Sequence, residues 1–554
     1  MKLGIDLGTC FSFTAGVIGT GGLIFLVSHS QSNYKDIYDE NNQGIPTVLY
    51  NDSENKKVKG MKALKLMSKN PENGVQYIKK DLLEFSKGIK SNQKSISDFE
   101  TSEISLGGTK FTIKEIICEF IKFLIENSKA ELKNSVYRNE NSEIENIVIA
   151  VPAAANDFFR NYIIECTAEA SGLAEDKIKC IDEPIAAALS YFDKEKHIIN
   201  TKNRILICDL GGGTFDAAIV EHDPNRTESY KIVKCQGGLE KGGNNWDEAL
   251  EYYILGNQSI EQYISSNDFF IHATDEVINT FKFKFRREII KTKMDLSNKD
   301  NMDDKKIVFY YCQFFHNNVG EEKEIEVKKS ITRIEFENIQ KVKDLCEEIT
   351  RNIEKLINTY QSECPDSKIS NVILAGGGSN MPMIEKSIKE NIINKYYETE
   401  NIPIAYLPDP DKAIALGAAI YAGNQNEFIG VAPYSCDLLI VEDKKIEFFG
   451  LIGNNAPMEK HDDGIYIEEP RTYIFDTDTT NNLTYILYNR LQENDYFMDE
   501  KKNFISDKYY RIKRTITSEE TGMGKHEINF ELKLIQGRPL NDENFKVSRR
   551  RKTK

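Results

Sequence analysis

The residues best suited to chemistry lie in Ile205-Leu-Ile-Cys-Asp-Leu-Gly-Gly-Gly-Thr-Phe-Asp216. A short apolar run, rich in β-branched residues, predicts a buried strand that stops at Asp209. Gly211, Gly212 and Gly213 then force a tight turn, and Thr214 to Val220 predicts the returning strand of a hairpin. The tip offers consecutive backbone N–H groups, the Thr214 hydroxyl, and the carboxylates of Asp209 and Asp216. Such N–H groups form a concave anion site, and carboxylates suit magnesium with its waters. Phosphate plus a divalent metal is one reading of this stretch. An ordinary glycine hairpin with solvated acids is the other.

The same plan occurs earlier. Leu3-Gly-Ile-Asp-Leu-Gly-Thr-Cys10 gives strand, aspartate (Asp6), glycine turn (Gly8) and hydroxyl (Thr9), followed by the apolar Phe13 to Val17. Two such hairpins predict a duplicated domain whose halves close on one polyphosphate.

The elements that must position these tips follow from the rest of the chain. At 554 residues it exceeds what one core supports, so several domains are expected. Hydrophobic content of 40% and charged content of 29% fit a globular protein. The net charge of −15 argues against nucleic acid as the main partner. Ten cysteines without a C-x-x-C pair read as reduced thiols of a cytoplasmic protein, and seven isolated histidines argue against zinc. A strand starting at Leu3 leaves no room for a signal peptide, and no apolar stretch is long enough to span a membrane.

Residues 1–50 predict a β-meander with a polar loop from Ser28 to Gln43. Residues 58–90 read as helical and Ser86 to Ser105 as a loop. Thr112 and Glu115 form a capping box before a helix. Ile147 to Val151 predicts a strand, and Asn156 to Gly172 a helix closed by its glycine. Cys180-Ile-Asp-Glu-Pro-Ile-Ala-Ala-Ala-Leu189 runs from strand into helix. Glu183 there either performs chemistry at a strand end or simply complements a helix dipole. Gly237-Gly-Leu-Glu-Lys-Gly-Gly-Asn-Asn-Trp-Asp247 precedes a charged helical region reaching about Asp304. Asn371-Val-Ile-Leu-Ala-Gly-Gly-Gly-Ser379 is another strand ending in glycines, with Ser379 expected to cap the next helix. Asp409-Pro-Asp-Lys-Ala-Ile-Ala-Leu-Gly-Ala-Ala419 is a small-residue helix. No G-x-x-x-x-G-K-[ST] occurs, so a P-loop is excluded.

From about Gly423 the pattern changes to short β-type runs: Leu438 to Val441, Ile446 to Ile452, Tyr473 to Phe475, Leu483 to Leu487 and 528–535. They predict a small β-domain over residues 435–547. The basic end, 548–554, is expected to fray, serving solubility rather than a nucleic acid or a membrane.

With these pieces in order, residues 1–423 resemble the ATPase domain of the heat shock protein 70 family, the DnaK-like chaperones. Ile5-Asp-Leu-Gly-Thr9 and Asp209-Leu-Gly-Gly-Gly-Thr-Phe-Asp216 look like its two phosphate motifs. Ala375-Gly-Gly-Gly-Ser379 looks like its adenosine motif. Val151-Pro-Ala-Ala-Ala-Asn-Asp157 with Arg160, and Asp182-Glu-Pro-Ile-Ala-Ala-Ala188, favour this family over actins and sugar kinases. Pro410 to Ala419 matches the closing helix. The resemblance implies an α/β, actin-like (ribonuclease H-like) fold with lobes of about 1–200 and 201–423. A linker at 424–434 and a small all-β domain would follow.

It further implies ATP or ADP with Mg2+, and K+, in the cleft. Asp6, Asp209 and Asp216 would hold the metal and its waters. Gly8, Thr9, Cys10, Gly211, Gly212, Gly213 and Thr214 would cradle phosphates. Gly242, Gly243, Lys293, Gly376, Gly377, Gly378, Ser379, Asn380 and Asp411 would complete the nucleotide site. The catalytic group would be Lys79 with Glu183, Asp209 and Thr214, although Lys80 is adjacent and a lysine here can also be a solvated helix residue. Pro152, Arg160 and Glu183 would relay nucleotide state. Implied partners are unfolded or extended polypeptides, a co-chaperone and an exchange factor, in stress response and protein folding, with no membrane.

The departures are specific. Cys10 replaces a threonine, Asn380 and Met294 stand at base-stacking arginines, and Ile290 stands at a ribose-binding glutamate. Each removes a contact worth about 1 kcal/mol, so weaker adenosine binding is expected. Asn424 to Gly430 lacks the family's leucine-rich linker, and Ser435 to Ala456 only weakly resembles the start of its peptide-gripping sandwich. No lid-like segment follows. A nucleotide-gated scaffold or actin-like assembly protein with one dedicated partner is therefore the second reading. A sugar or acetate kinase is a third, without a recognisable acceptor site.

Overall fold

The computed structural model describes residues 1–19, 23–26, 44–52, 54–90, 101–134, 141–153, 155, 157–195, 202–225, 230–239, 241–299, 301–365, 368–397, 402–407, 410–423 and 428–429. Beyond these it describes 435–442, 445–452, 458–461, 464–476, 482–490, 510–517, 525–535 and 545–551. The polar segment 28–43, most of 424–434 and residues 552–554 lie outside the described residues.

The duplication is visible in the sheets. One runs, in spatial order, Ile178–Asp182, Asn146–Val151, Lys2–Asp6, Phe11–Ile18 and Leu23–Leu26, with Ile45–Pro46 also pairing Phe11–Ile18. The other runs Ile404–Tyr406, Asn371–Ala375, Asn203–Leu210, Phe215–His222, Tyr230–Leu239 and Phe428–Ile429. In both, the central strand is antiparallel to its hairpin partner and parallel to a strand brought in later. Both central strands are almost wholly buried, which explains their continuous apolar runs.

Two helices lie against each other between the sheets, Glu183–Glu195 and Ala413–Gly423. Their small residues permit the approach. A Cβ on Gly417 would fall 1.7 Å from the Ala186 carbonyl oxygen, and one on Gly4 would fall 2.2 Å from the Ala419 nitrogen. The two helices and the strand Lys2–Asp6 therefore meet backbone to backbone.

Several expectations hold locally. Asp157–Ser171 is a helix, and Gly172 follows it with φ +74. Glu115 N–H donates to Thr112 Oγ1 while Glu115 Oε2 accepts from Thr112 N–H. Others need correction. Residues 58–90 hold two helices, Gly60–Met67 and Ile78–Lys90, with the strand Gly74–Gln76 between them. The second helix continues past Ser86, and Glu103–Leu106 is a strand rather than loop. The hairpin Ile307–His316 with Glu322–Ile331 had no counterpart in the sequence reading. Its buried Phe309, Tyr311 and Phe315 pack on the helix Asp275–Ser297, while Val308, Tyr310 and Phe314 face outward.

Beyond Gly423, every predicted β-run falls within a strand. Ser435–Glu442, Lys445–Ile452, Asn482–Arg490 and Tyr510–Thr517 make one antiparallel sheet. Glu459–His461, Gly464–Asp476, Lys525–Ile535 and Phe545–Arg551 make another. Rings from the two meet edge to face, Tyr485 on Phe530 at 5.1 Å. The basic end is not frayed as far as Arg551, because Phe545–Arg551 pairs with Lys525–Ile535. Among the described residues no helix is long and apolar enough to cross a membrane.

Candidate functional site

Each central strand delivers its aspartate to the lobe junction. Asp6 is the last residue of Lys2–Asp6, and Asp209 lies opposite Asp216 in the second hairpin. The tips approach closely. A Cβ on Gly212 would sit 2.8 Å from Cys10 Sγ, and one on Gly213 would sit 3.1 Å from Thr9 Oγ1. Gly376, with φ +76, tucks its backbone against Asp209, leaving 2.5 Å between a Cβ there and Asp209 Oδ1.

The first tip is held from outside its own segment. Thr47 N–H donates to the Cys10 carbonyl at 2.9 Å, and Thr47 Oγ1 donates to the Gly8 carbonyl at 2.8 Å. The second tip leans on the helix Gly243–Ile254. Gly243 N–H donates to Gly211 O at 3.0 Å and Asn244 N–H to Gly212 O at 2.8 Å. Lys293 ties the same helix to Asp275–Ser297, donating to Gly243 O at 3.0 Å and to Asp247 Oδ2 at 2.9 Å.

Of the adjacent lysines, Lys79 is the buried one, only 5% exposed, and it forms an ion pair with Glu183. Lys80 turns outward toward Glu84. The helix Ile78–Lys90 starts immediately after Tyr77, whose φ of +62 is unusual for a bulky side chain. That left-handed residue begins the helix with Lys79 in its first turn.

Electrostatics mark the spot. Burial lifts the Asp6 carboxyl to about 7; Lys79 opposes the shift, while Glu183 and Asp411 add to it. Burial also pushes Asp209 well up, helped by Glu183, Asp216 and Asp6. Burial works against the charge of Lys79, yet Glu183 and Asp6 hold it above its ordinary value. Acid exceeds base here, and Asp209 Oδ1 is buried without a hydrogen-bond partner. A hard cation would relieve both conditions. Among the described residues no three His, Cys, Asp or Glu side chains could cage a metal by themselves. The crowded acids and the unpartnered Asp209 Oδ1 fit magnesium that keeps its waters and shares a phosphate.

A cleft of about 480 Å³ opens here. Asp6, Gly8, Thr9, Cys10, Lys79, Glu183, Asp209, Gly211, Gly212, Thr214, Gly243, Lys293, Gly376, Gly377, Gly378, Asn380 and Asp411 all line it. Four of the expected residues stand back from it. Gly213 lines a small neighbouring cavity with Lys79, Thr214 and Pro152. Gly242 abuts the Gly211 carbonyl. Asp216 is 1% exposed beside Asp209. Ser379 caps no helix; its Oγ donates to the Ala375 carbonyl at 2.6 Å within the turn Gly377–Asn380. Thr47 was missed, since its role depends on two carbonyls far away in sequence.

A family model for the Hsp70 protein matches residues 2–429. The chain belongs to the Hsp70 family. Members are ATPases that bind ATP or ADP with magnesium. One relative, chaperone protein dnaK of Guillardia theta, is 26% identical over 432 residues, covering 76% of this chain and 59% of the relative. Chaperone protein HscA of Buchnera aphidicola is also 26% identical, over 455 residues, covering 80% of this chain and 75% of the relative. The match thus spans well under the full length of the first of these Hsp70 proteins. In this Hsp70 chain Ile290 and Met294 join Asn380 on the cleft wall, so these three of the four departures face the same space. Arg160, expected as a relay residue, is buried in an ion pair with Asp182 and donates to the Ala155 carbonyl at 3.0 Å.

Proposed function

We propose that this chain is a slow ATPase that works as a chaperone-like switch. The observation carrying this reading is the buried Lys79–Glu183 pair set between two duplicated hairpins whose aspartates crowd it. Backbone N–H groups of Thr9, Cys10, Gly212, Gly213 and Thr214 receive the phosphates, with the Thr9 and Thr214 hydroxyls beside them. Asp6 and Asp209 would hold the waters of Mg2+, with Asp216 behind them, and the same carboxylates would serve K+. Bound magnesium would neutralise charge on the phosphates. Lys79 stabilises charge on the transferring phosphoryl group and orients the attacking water, with Glu183 fixing the surrounding solvent. Gly242, Gly243 and Lys293 take the ribose side. Gly376, Gly377, Gly378, Ser379, Asn380 and Asp411 take the adenosine side.

In this reading residues 1–423 are the ATPase domain, 424–434 the linker and 435–547 a short β-sandwich for unfolded or extended polypeptide. Among the described residues Lys445–Ile452 and Tyr510–Thr517 are the edge strands of their sheet, which supports peptide addition. A co-chaperone, an exchange factor and a cytoplasmic setting belong to the same reading. Ten cysteines without a C-x-x-C pair agree with the last. The scaffold reading competes because Asn424 to Gly430 carries no leucine-rich linker.

Single-turnover ATP hydrolysis, with and without an unfolded peptide, separates them. Peptide should accelerate hydrolysis, and Lys79→Ala should abolish the effect. Hydrolysis indifferent to peptide would favour the scaffold. Failure to bind any nucleotide would overturn both.

A further inference from the structure

The cleft wall formed by Ser297, Asn298 and Lys299 is fastened on two sides. Behind it, Arg333 is 5% exposed and makes three bonds. Its Nε donates to Leu296 O at 2.7 Å, Nη2 to Asn298 O at 2.5 Å, and Nη1 to Asp303 Oδ1 at 2.6 Å. The helix Asp275–Ser297 ends here, where its last carbonyls lack partners within the helix, so Arg333 caps it from a distant segment. Arg333 is in turn placed by the Thr332–Glu335 capping box that follows the strand Glu322–Ile331.

In front, the fastening has a different character. Lys299 Nζ lies 3.2 Å from Glu385 Oε2 and 3.3 Å from the centre of the Tyr406 ring. The Tyr406 hydroxyl donates to the same Glu385 oxygen at 2.7 Å. Ser297 Oγ reaches Met381 Sδ at 3.8 Å, next to Asn380 on the opposing wall. Lys299 and Glu385 remain 43% and 42% exposed, so their pair adds little to folding and can part without unfolding anything. One end of this wall is thus bolted by a buried guanidinium, and the other is closed by contacts weak enough to open.

We infer that Lys299, Glu385 and Tyr406 form a latch across the nucleoside end of the cleft, hinged on the helix end that Arg333 holds, and that the latch slows release of nucleotide. This rests on the proposed nucleotide site. Lys299 spans between the segment after Asp275–Ser297 and the elements Pro382–Ile388 and Ile404–Tyr406. Opening it frees the wall that carries Met294 from the wall that carries Asn380. It is a positioning device, because none of its three residues lies at the carboxylate cluster. It also offers one physical route by which a cleft short of base-stacking cations retains its ligand.

The test uses the full chain and a fluorescent ADP analogue, chased with unlabelled ADP by stopped flow. Lys299→Ala should raise the dissociation rate about threefold to tenfold and leave association nearly unchanged. Lys299→Arg, which keeps both the ion pair and the ring contact, should restore the slow rate. Glu385→Gln should act in the same direction, and the double variant should add little to the larger single effect. Displacement by magnesium pyrophosphate, which has no nucleoside, should be unchanged. A Lys299→Ala protein that releases the analogue at the wild-type rate overturns the latch while leaving the nucleotide site standing. Equal weakening of pyrophosphate also overturns it, by showing general damage. Wild-type protein that binds no analogue overturns the latch and the nucleotide site together.

Discussion

The two ends of the cleft are built by different means. At the proposed phosphate end, glycine backbones, two hairpin tips and a buried ion pair converge, and Thr47 holds the first tip from another element. At the proposed nucleoside end, Ile290, Met294 and Asn380 make an apolar and amide wall, fastened from outside by Arg333 and Lys299. The first end can hold charge in a fixed geometry. The second can only enclose. Catalysis should therefore be brittle at one end, and affinity adjustable at the other.

The largest effect should come from Lys79. Replacing it with alanine removes the buried partner of Glu183 and the group proposed to stabilise charge on the phosphoryl group. A loss of about a hundredfold to a thousandfold in single-turnover hydrolysis is expected. Nucleotide binding, read by fluorescence titration, should survive. An equal loss in affinity would mean that Lys79 is a structural cation and would erase the contrast between the ends.

Gly376 tests how far the phosphate end depends on backbone shape. Alanine there needs φ near +76 and a Cβ pressed 2.4 Å from the Leu210 carbonyl and 2.5 Å from Asp209 Oδ1. Gly376→Ala should cost about 1–3 kcal/mol of stability by thermal or denaturant unfolding. Unchanged stability would mean the turn yields easily.

This contrast also explains what could be read from the sequence. That Asp6, Asp209 and their glycines belong together was legible because strand, acid, glycine and hydroxyl make a local pattern, and the structure brings the two copies to one cleft. Lys79 was harder, since a lysine in a polar helix looks solvated until Tyr77 and the lobe packing bury it. Thr47 and Arg333 were illegible, because each bonds to carbonyls far away in sequence and leaves no local signature. Ser379 misled for the opposite reason: it stood where a cap belongs, but its hydroxyl turned back to Ala375. The hairpin Ile307–His316 with Glu322–Ile331 was hidden by the charged residues on its second strand. The basic end looked frayed because the pairing of Phe545–Arg551 is set by its neighbouring strand and not by its own arginines.

At the nucleoside end the expected change is a gain. Asn380→Arg would put a guanidinium on the wall facing Met294, where a base can stack. It should tighten ADP by about 1 kcal/mol, roughly five- to tenfold in Kd by calorimetry, with little change in the hydrolysis step. No gain would mean that the apolar wall already encloses the base as well as a cation can.

Cys10 is the smallest test and the sharpest, because it is the one departure at the phosphate end. Its thiol lies 3.5 Å from Asn244 Oδ1, and burial raises it to about 11, so it stays protonated and offers only a weak donor. Cys10→Thr restores a hydroxyl without moving the N–H that the tip contributes, since Thr47 fixes that backbone through the Cys10 carbonyl. The gain should be about 0.5–1 kcal/mol in affinity for ATP. It should be smaller for ADP if the hydroxyl reaches the terminal phosphate. Equal gains for both nucleotides would place residue 10 at the inner phosphates instead. A loss would show that the tip has closed around sulfur, since Gly212 sits so near Cys10 Sγ that even a small change of shape is felt on both hairpins.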